Sequence, residues 1–183
     1  MDTSKWTARI DASTTEFRKA FGGLSAEQLN WKPNPATWSI AQNIDHLITI
    51  NSTYFPVLEA LHAGTYRVPF TGKLGFLVRF FGKFILQSVL PDRKRKMKTF
   101  PIWEPASSEL PGDLLQRFEQ HQEQLKEAIR GAAGLLDRGA VISSPANTSV
   151  VYTLDKAFDI ITLHEMRHME QAREVLELLH PKK

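Results

Sequence analysis

Apolar residues recur along the chain at alternating steps of four and three in four long segments, the signature of helices with one buried face. In the first, roughly Thr3 to Gly22, the stripe is Trp6, Ile10, Phe17 and Phe21, and Gly22-Gly23 supplies the stop. The second opens at Ser39, which with Gln42 makes a reciprocal capping pair. Its stripe is Ile40, Ile44, Leu47, Asn51, Tyr54, Leu58 and Leu61, and Pro56 falls inside it, where a ring without an N–H predicts a bend or a break. The third follows Pro111-Gly112-Asp113 and carries Leu115, Phe118, Leu125 and Ile129, while the fourth begins near Thr153 and runs almost to the end. Between the second and third lies a long connection, about Gly64 to Glu109, in which Phe76, Leu77, Phe80, Phe81, Phe84 and Ile85 predict a short extra helix. No series of alternating positions predicts strands. The pattern therefore predicts an all-α fold, a four-helix bundle whose long crossover between helices 2 and 3 contains an extra short helix.

One polar interruption carries chemistry. The inward line of the fourth helix reads Ala157, Ile161, His164, His168, Gln171, Val175 and Leu178, apolar at both ends and polar in the middle. An imidazole buried without a partner costs about 2 kcal/mol or more, so polar groups in a core line call for a reason. His164 and His168 lie one turn apart, close enough for both rings to reach one ion. His46 is a third candidate, at the edge of the second helix's apolar arc, beside Ile50 and near Asn43, although a lone core histidine is equally served by a hydrogen bond. Three imidazoles suit Zn²⁺, Ni²⁺ or Fe²⁺ and leave coordination positions open. His121 also falls on an inner side but has no partner at helical spacing, and His62 and His180 sit at helix ends, where water reaches them.

Length and composition set the frame for that chemistry. At 183 residues, with 42% hydrophobic and 23% charged positions, the chain fits a single globular domain over 1–183. There is no cysteine, which removes disulfides, thiolate ligands and a cysteine nucleophile and suits a reducing cytoplasm. The start, Met1-Asp2-Thr3-Ser4-Lys5-Trp6, lacks the basic and apolar run of a signal peptide. The apolar stretch Leu74 to Leu90 is broken by Arg79 and Lys83 and is too short to span a bilayer. Five of the 23 basic residues lie in Arg93-Lys94-Arg95-Lys96-Met97-Lys98; without them 18 face 20 acids, so the net +3 is one local cluster. With Lys73, Arg79, Lys83 and the Phe-rich segment, that cluster offers phosphate, nucleic acid or an anionic membrane a surface. A solvated loop beside apolar cover for the bundle or a dimer is the simpler reading.

The run Leu29-Asn30-Trp31-Lys32-Pro33, then Trp38-Ser39-Ile40-Ala41-Gln42-Asn43-Ile44-Asp45-His46-Leu47, resembles the W-S-I-x-x-x-x-x-H-L signature of the DinB/YfiT-like superfamily. His164-Glu165-Met166-Arg167-His168-Met169-Glu170-Gln171 is similar to that family's closing H-x-x-R-H-x-x-Q. The resemblance implies one divalent metal ion per chain, held by His46, His164 and His168, and frequent homodimers. It also implies chemistry on a small molecule, by thiol-dependent transferases and isomerases or by metal-dependent hydrolases. A thiol would have to come from a low-molecular-weight cosubstrate, since the chain has none. Glu165 and Gln171 are the nearest polar candidates for a base or an orienting group; Glu165, next to a ligand in sequence, points off the inward line and reads as a surface acid. A non-catalytic module that keeps a metal for stability is the bland alternative.

His164-Glu165-Met166-Arg167-His168 also satisfies the H-E-x-x-H of zinc peptidases. The helix-breaking glycine of the longer form is absent: Gln171 stands there, and Glu174 stands at the third ligand position. On a continuous helix Glu174 is turned about 240° from His168, away from any shared ion.

Overall fold

The computed structural model describes residues 1–92, 99–105 and 109–181. The basic cluster Arg93 to Lys98 lies outside the described residues. The four predicted helices are present as α1 (Ser4–Phe21), α3 (Ile40–Ser52), α6 (Leu114–Gly131) and α8 (Leu154–Leu179). Between and around them are α2 (Ala26–Asn30), α4 (Phe55–His62), α5 (Gly75–Ser88) and α7 (Ala133–Asp137). α1 packs on α6 and α8, and α3 packs on the same two helices.

Local chemistry sets the boundaries that matter for the site. Ser39 Oγ accepts from Gln42 N (3.0 Å) while Gln42 Oε1 accepts from Ser39 N (3.1 Å), fixing where α3 starts and which face His46 occupies. Pro56 does break the second stripe. α3 ends at Ser52 and α4 restarts at Phe55, so the proline falls in a first turn, where its missing N–H costs nothing. The predicted extra helix is α5, which lies against β2 and α8.

The all-α expectation needs one correction: β1 (Val141–Ser144) and β2 (Asn147–Thr153) form an antiparallel hairpin, with Ile142 opposite Tyr152 and an irregularity at Ser143/Ser144. Val151 and Tyr152 are both buried, because Tyr152 faces α5 and the helical core while Val151, on the other side of β2, lies against Gly72 in the turn before α5. A strand enclosed on both faces shows no period-two alternation for sequence reading to detect. Gly139, at φ 62°, ends α7 in the left-handed turn that leads into β1.

The core is divided in two. One apolar cluster gathers Trp6, Ile10, Tyr54, Leu125, Phe158 and Ile161; the other gathers Phe17, Leu47, Phe118, Met169, Ala172 and Val175. At the level between them each long helix contributes a buried polar residue: Ser13 from α1, Asn51 from α3, His121 and Gln122 from α6, Glu165 from α8. The buried stripe of α8 is therefore centred on Phe158, Ile161, Glu165, His168, Ala172 and Val175, about one residue from the line drawn on the sequence. Consequently Gln171 is only half-buried and Leu178 is exposed.

His121 packs on Phe55, ring centroids 5.5 Å apart, and its Nε2 has no partner among the described residues. Burial pushes this imidazole down to about 4 from 6.5. The unfolded chain thus binds the proton first, and stability is lost as pH falls from about 6.5 towards 4, by roughly 3 kcal/mol at the limit. Glu165, described below, acts with the opposite sign in an overlapping window, so the informative quantity is a difference. The stability gap between the parent and His121→Leu, from urea unfolding at pH 7.5 and 5, should shift by about 2 kcal/mol against the parent at the lower pH. A gap independent of pH would show that this ring is hydrated in the folded state.

Candidate metal centre

His46 comes from the second turn of α3, and His164 and His168 come from adjacent turns of α8, which packs on α3. The ligand atoms of the three all lie within 4.8 Å of one another. His164 Nε2 and His168 Nε2 are 3.0 Å apart, and the His46 ring centroid is 4.6 Å from that of His168 and 5.2 Å from that of His164. The spacing in sequence and the geometry agree: these three residues meet.

What surrounds the rings fixes their tautomers. His46 Nδ1 donates to the Trp103 carbonyl oxygen at 2.6 Å; a carbonyl only accepts, so the proton is on Nδ1 and the Nε2 lone pair remains for an ion. Asn43 Nδ2 donates to the Ser39 carbonyl (2.9 Å), which orients Oδ1 to accept from His168 Nδ1 at 2.8 Å. His168 therefore turns its Nε2 lone pair towards His164. Trp38, the residue before the α3 cap, stacks on His168 with ring planes 16° apart and centroids 5.8 Å apart. Burial holds the His46 imidazole below its ordinary value, and burial followed by the charges of His46 and Arg167 holds His164 well below it. Three imidazoles, of which His46 and His168 are buried with their outer nitrogens bonded to oxygen acceptors and His164 is half-buried, are a donor set that suits a divalent transition metal.

That arrangement gives Asn43 a measurable role. Asn43→Ala removes the acceptor that orients His168 and should weaken zinc binding by about ten- to a hundredfold, read by competition with a chromogenic chelator. Unchanged affinity would mean that Trp38 stacking alone holds the ring.

The cluster opens onto a cavity of about 640 Å³, within the range of small-molecule sites. Trp38, Phe100 and Trp103 give it aromatic walls, and Tyr54 and Tyr152, whose hydroxyls are bonded to each other at 2.8 Å, also line it. Arg167, Gln171 and Glu174 add polar groups; Arg167 donates to the Leu90 carbonyl at 3.0 Å. Gln171 thus borders the space where a substrate would lie. Glu174 borders it too but is not part of the histidine cluster that could hold an ion among the described residues, as its helical angle predicts.

Glu165 is not a surface acid. It is fully buried, does not line the cavity, and faces the polar layer instead. Asn51 Nδ2 donates to its Oε1 at 3.0 Å and Gln122 Nε2 to its Oε2 at 2.8 Å, while Ser13 lies close by on α1. Burial pushes the carboxyl up to about 7 against the opposing pull of those donors. The sequence reading placed Glu165 off the ligand line correctly and its surroundings wrongly, because the residue beside a ligand on a wide buried stripe is also buried. The peptidase pattern loses its base for the same reason: the carboxyl is bonded across the core rather than turned to the cavity. His121 is not part of the histidine cluster.

A family model described as the DinB superfamily matches residues 9–172. The chain is 31% identical over 156 residues to the uncharacterized protein YuaE of Bacillus subtilis (strain 168), covering 85% of this chain and 87% of that one. The chain belongs to the DinB superfamily. No solved structure matches it. Among the described residues no helix is long and apolar enough to cross a membrane.

Proposed function

We propose that the protein is a divalent-metal-dependent enzyme on a four-helix bundle, transferring a group of a small molecule to or from a low-molecular-weight thiol. The observation that carries this reading is the cluster of His46, His164 and His168 beside an aromatic-walled cavity, with the tautomers of His46 and His168 fixed by Trp103 and Asn43. Bound there, a divalent ion supplies positive charge that favours the deprotonated form of a thiol or of water. The chain's own groups do the rest. Trp38 and Trp103 exclude water from the imidazoles, and Gln171 offers an amide donor and acceptor to orient a substrate. The thiol itself must enter from outside, because the sequence has no cysteine.

Hydrolysis with Glu165 as the base is disfavoured, which leaves Glu174 as the carboxylate at the cavity. Glu165, the natural candidate to take a proton from water, is bonded to Asn51 and Gln122 and does not line the space. The test is to strip the protein with a chelator, restore Zn²⁺, Ni²⁺ or Fe²⁺ singly, and follow loss of free thiol from small thiols offered with electrophilic partners. Metal-dependent thiol consumption, absent in His164→Ala, is the expected result. Ester cleavage without thiol would assign hydrolysis, and restored metal and melting temperature without turnover of either kind would leave a metal-stabilised binding module.

A further inference from the structure

The side of α5 turned away from the bundle is not accounted for by the metal centre. This helix buries Val78, Gly82 and Ser88 against its neighbours. Phe76, Phe80 and Phe84, at steps of four, are 62%, 59% and 37% exposed, and Phe70 in the turn before the helix is 74% exposed. Phe80 and Phe84 lie nearly parallel, 16° apart with centroids at 6.2 Å, so the rings form a continuous ridge rather than scattered contacts. Single exposed apolar residues are ordinary, whereas a ridge of phenyl rings marks a surface that something covers.

Charge says what. Arg67, Lys73, Arg79 and Lys83 are all exposed, and no Asp or Glu occurs anywhere between Glu59 and Asp92. A second copy of the chain meeting this face with the same face would set cations against cations. A nucleic acid would match the cations but leave a ridge of hydrocarbon rings, without a hydrogen-bonding group among them, to stacking alone. A short amphipathic helix with phenyl rings along its outer side and Lys and Arg beside them matches the boundary of a bilayer with acidic headgroups.

We propose that α5 and the turn before it seat the protein on an anionic lipid surface, the phenyl ridge entering the headgroup boundary and Lys73, Arg79 and Lys83 meeting the acidic headgroups. The experiment is co-sedimentation of the full chain with vesicles of phosphatidylcholine alone and with about 30% phosphatidylserine, the regime in which each nearby cation adds appreciably to binding. Binding to the acidic vesicles, weakened by salt, is the expected result. Phe76→Ser with Phe80→Ser should lower the partition coefficient on the order of tenfold or more. Arg79→Gln with Lys83→Gln should lower it about thirtyfold. All four positions are exposed, so folding is checked by thermal melting, and if the phenyl variant melts early the charge variant decides. Absence of binding at low salt overturns the proposal. So does full binding by both variants, which would assign it to cations elsewhere in the chain. A self-associating parent made monomeric by the phenyl variant, with vesicle binding unchanged, would make the ridge a contact between copies. Loss of oligonucleotide binding in the charge variant, with no vesicle binding by the parent, would make it a nucleic-acid surface.

Discussion

His168→Ala is expected to bind zinc at least about a hundredfold more weakly than the parent, more than the loss from an orienting neighbour, because a donor itself is gone. The remaining pair, His46 and His164, also loses geometry. The His168 ring is held by Asn43 and Trp38 and in turn closes the space around the other two, so the hole left by alanine admits water. At a zinc concentration about a hundred times the parent's dissociation constant, binding stabilises the fold by about 2.7 kcal/mol. For a chain of this size that is a rise of about 5–10 °C in melting temperature, and the variant should show almost none of it. Metal content of the purified proteins and paired melting curves check both statements. Equal content and an equal rise in parent and variant would take His168 out of the site and remove the basis of the enzymatic reading.

Glu165→Ala should destabilise the protein by about 3–5 kcal/mol whether or not metal is present. Its carboxyl receives Asn51 from α3 and Gln122 from α6, and the other oxygens of those amides, Asn51 Oδ1 and Gln122 Oε1, have no partner among the described residues. Truncation leaves two buried N–H₂ groups without acceptors and a cavity between the two apolar clusters. Glu165→Gln should cost far less, about 1 kcal/mol, because either amide can turn over and present its unpartnered oxygen to the new donor. The pH dependence separates the two causes. With the folded value raised to about 7 from 4.5, the carboxyl's stabilisation is fully present below 4.5 and is lost as pH rises through 7. Glu165→Gln should abolish that component while keeping the packing. Urea midpoints of the three proteins at pH 5 and 8 test this; an alanine variant within about 1 kcal/mol of the parent at both would mean that the layer is hydrated and carries little.

The histidine cluster was legible in the sequence because imidazoles gathered from facing helices leave polar residues where apolar ones belong, at a spacing of one turn. The same signal was present for the rest of the polar layer. Ser13 stands between Ile10 and Phe17, and Asn51 between Leu47 and Tyr54, each at a step where the stripe calls for an apolar residue. Asn51 falls in the predicted stripe and Ser13 does not, but isolated serines and asparagines in helices are common, and only packing shows that the two lie at one level. Glu165 was misread because the buried side of α8 was treated as a line instead of a band. The hairpin was hidden because enclosure of Val151 and Tyr152 removes alternation, and α2 and α7, five residues each, are too short to show a period.

Neighbouring positions on α8 thus serve two unrelated purposes: His164 and His168 turn to the cavity, while Glu165 turns to the polar layer. Adding or deleting one residue between Ile161 and His168 would rotate everything downstream by about 100° and dismantle both at once. This stretch can drift by substitution but not by length, so insertions among descendants of the same gene are expected in the hairpin turn and the crossover, and the tract from Ile161 to His168 should keep a constant count of residues.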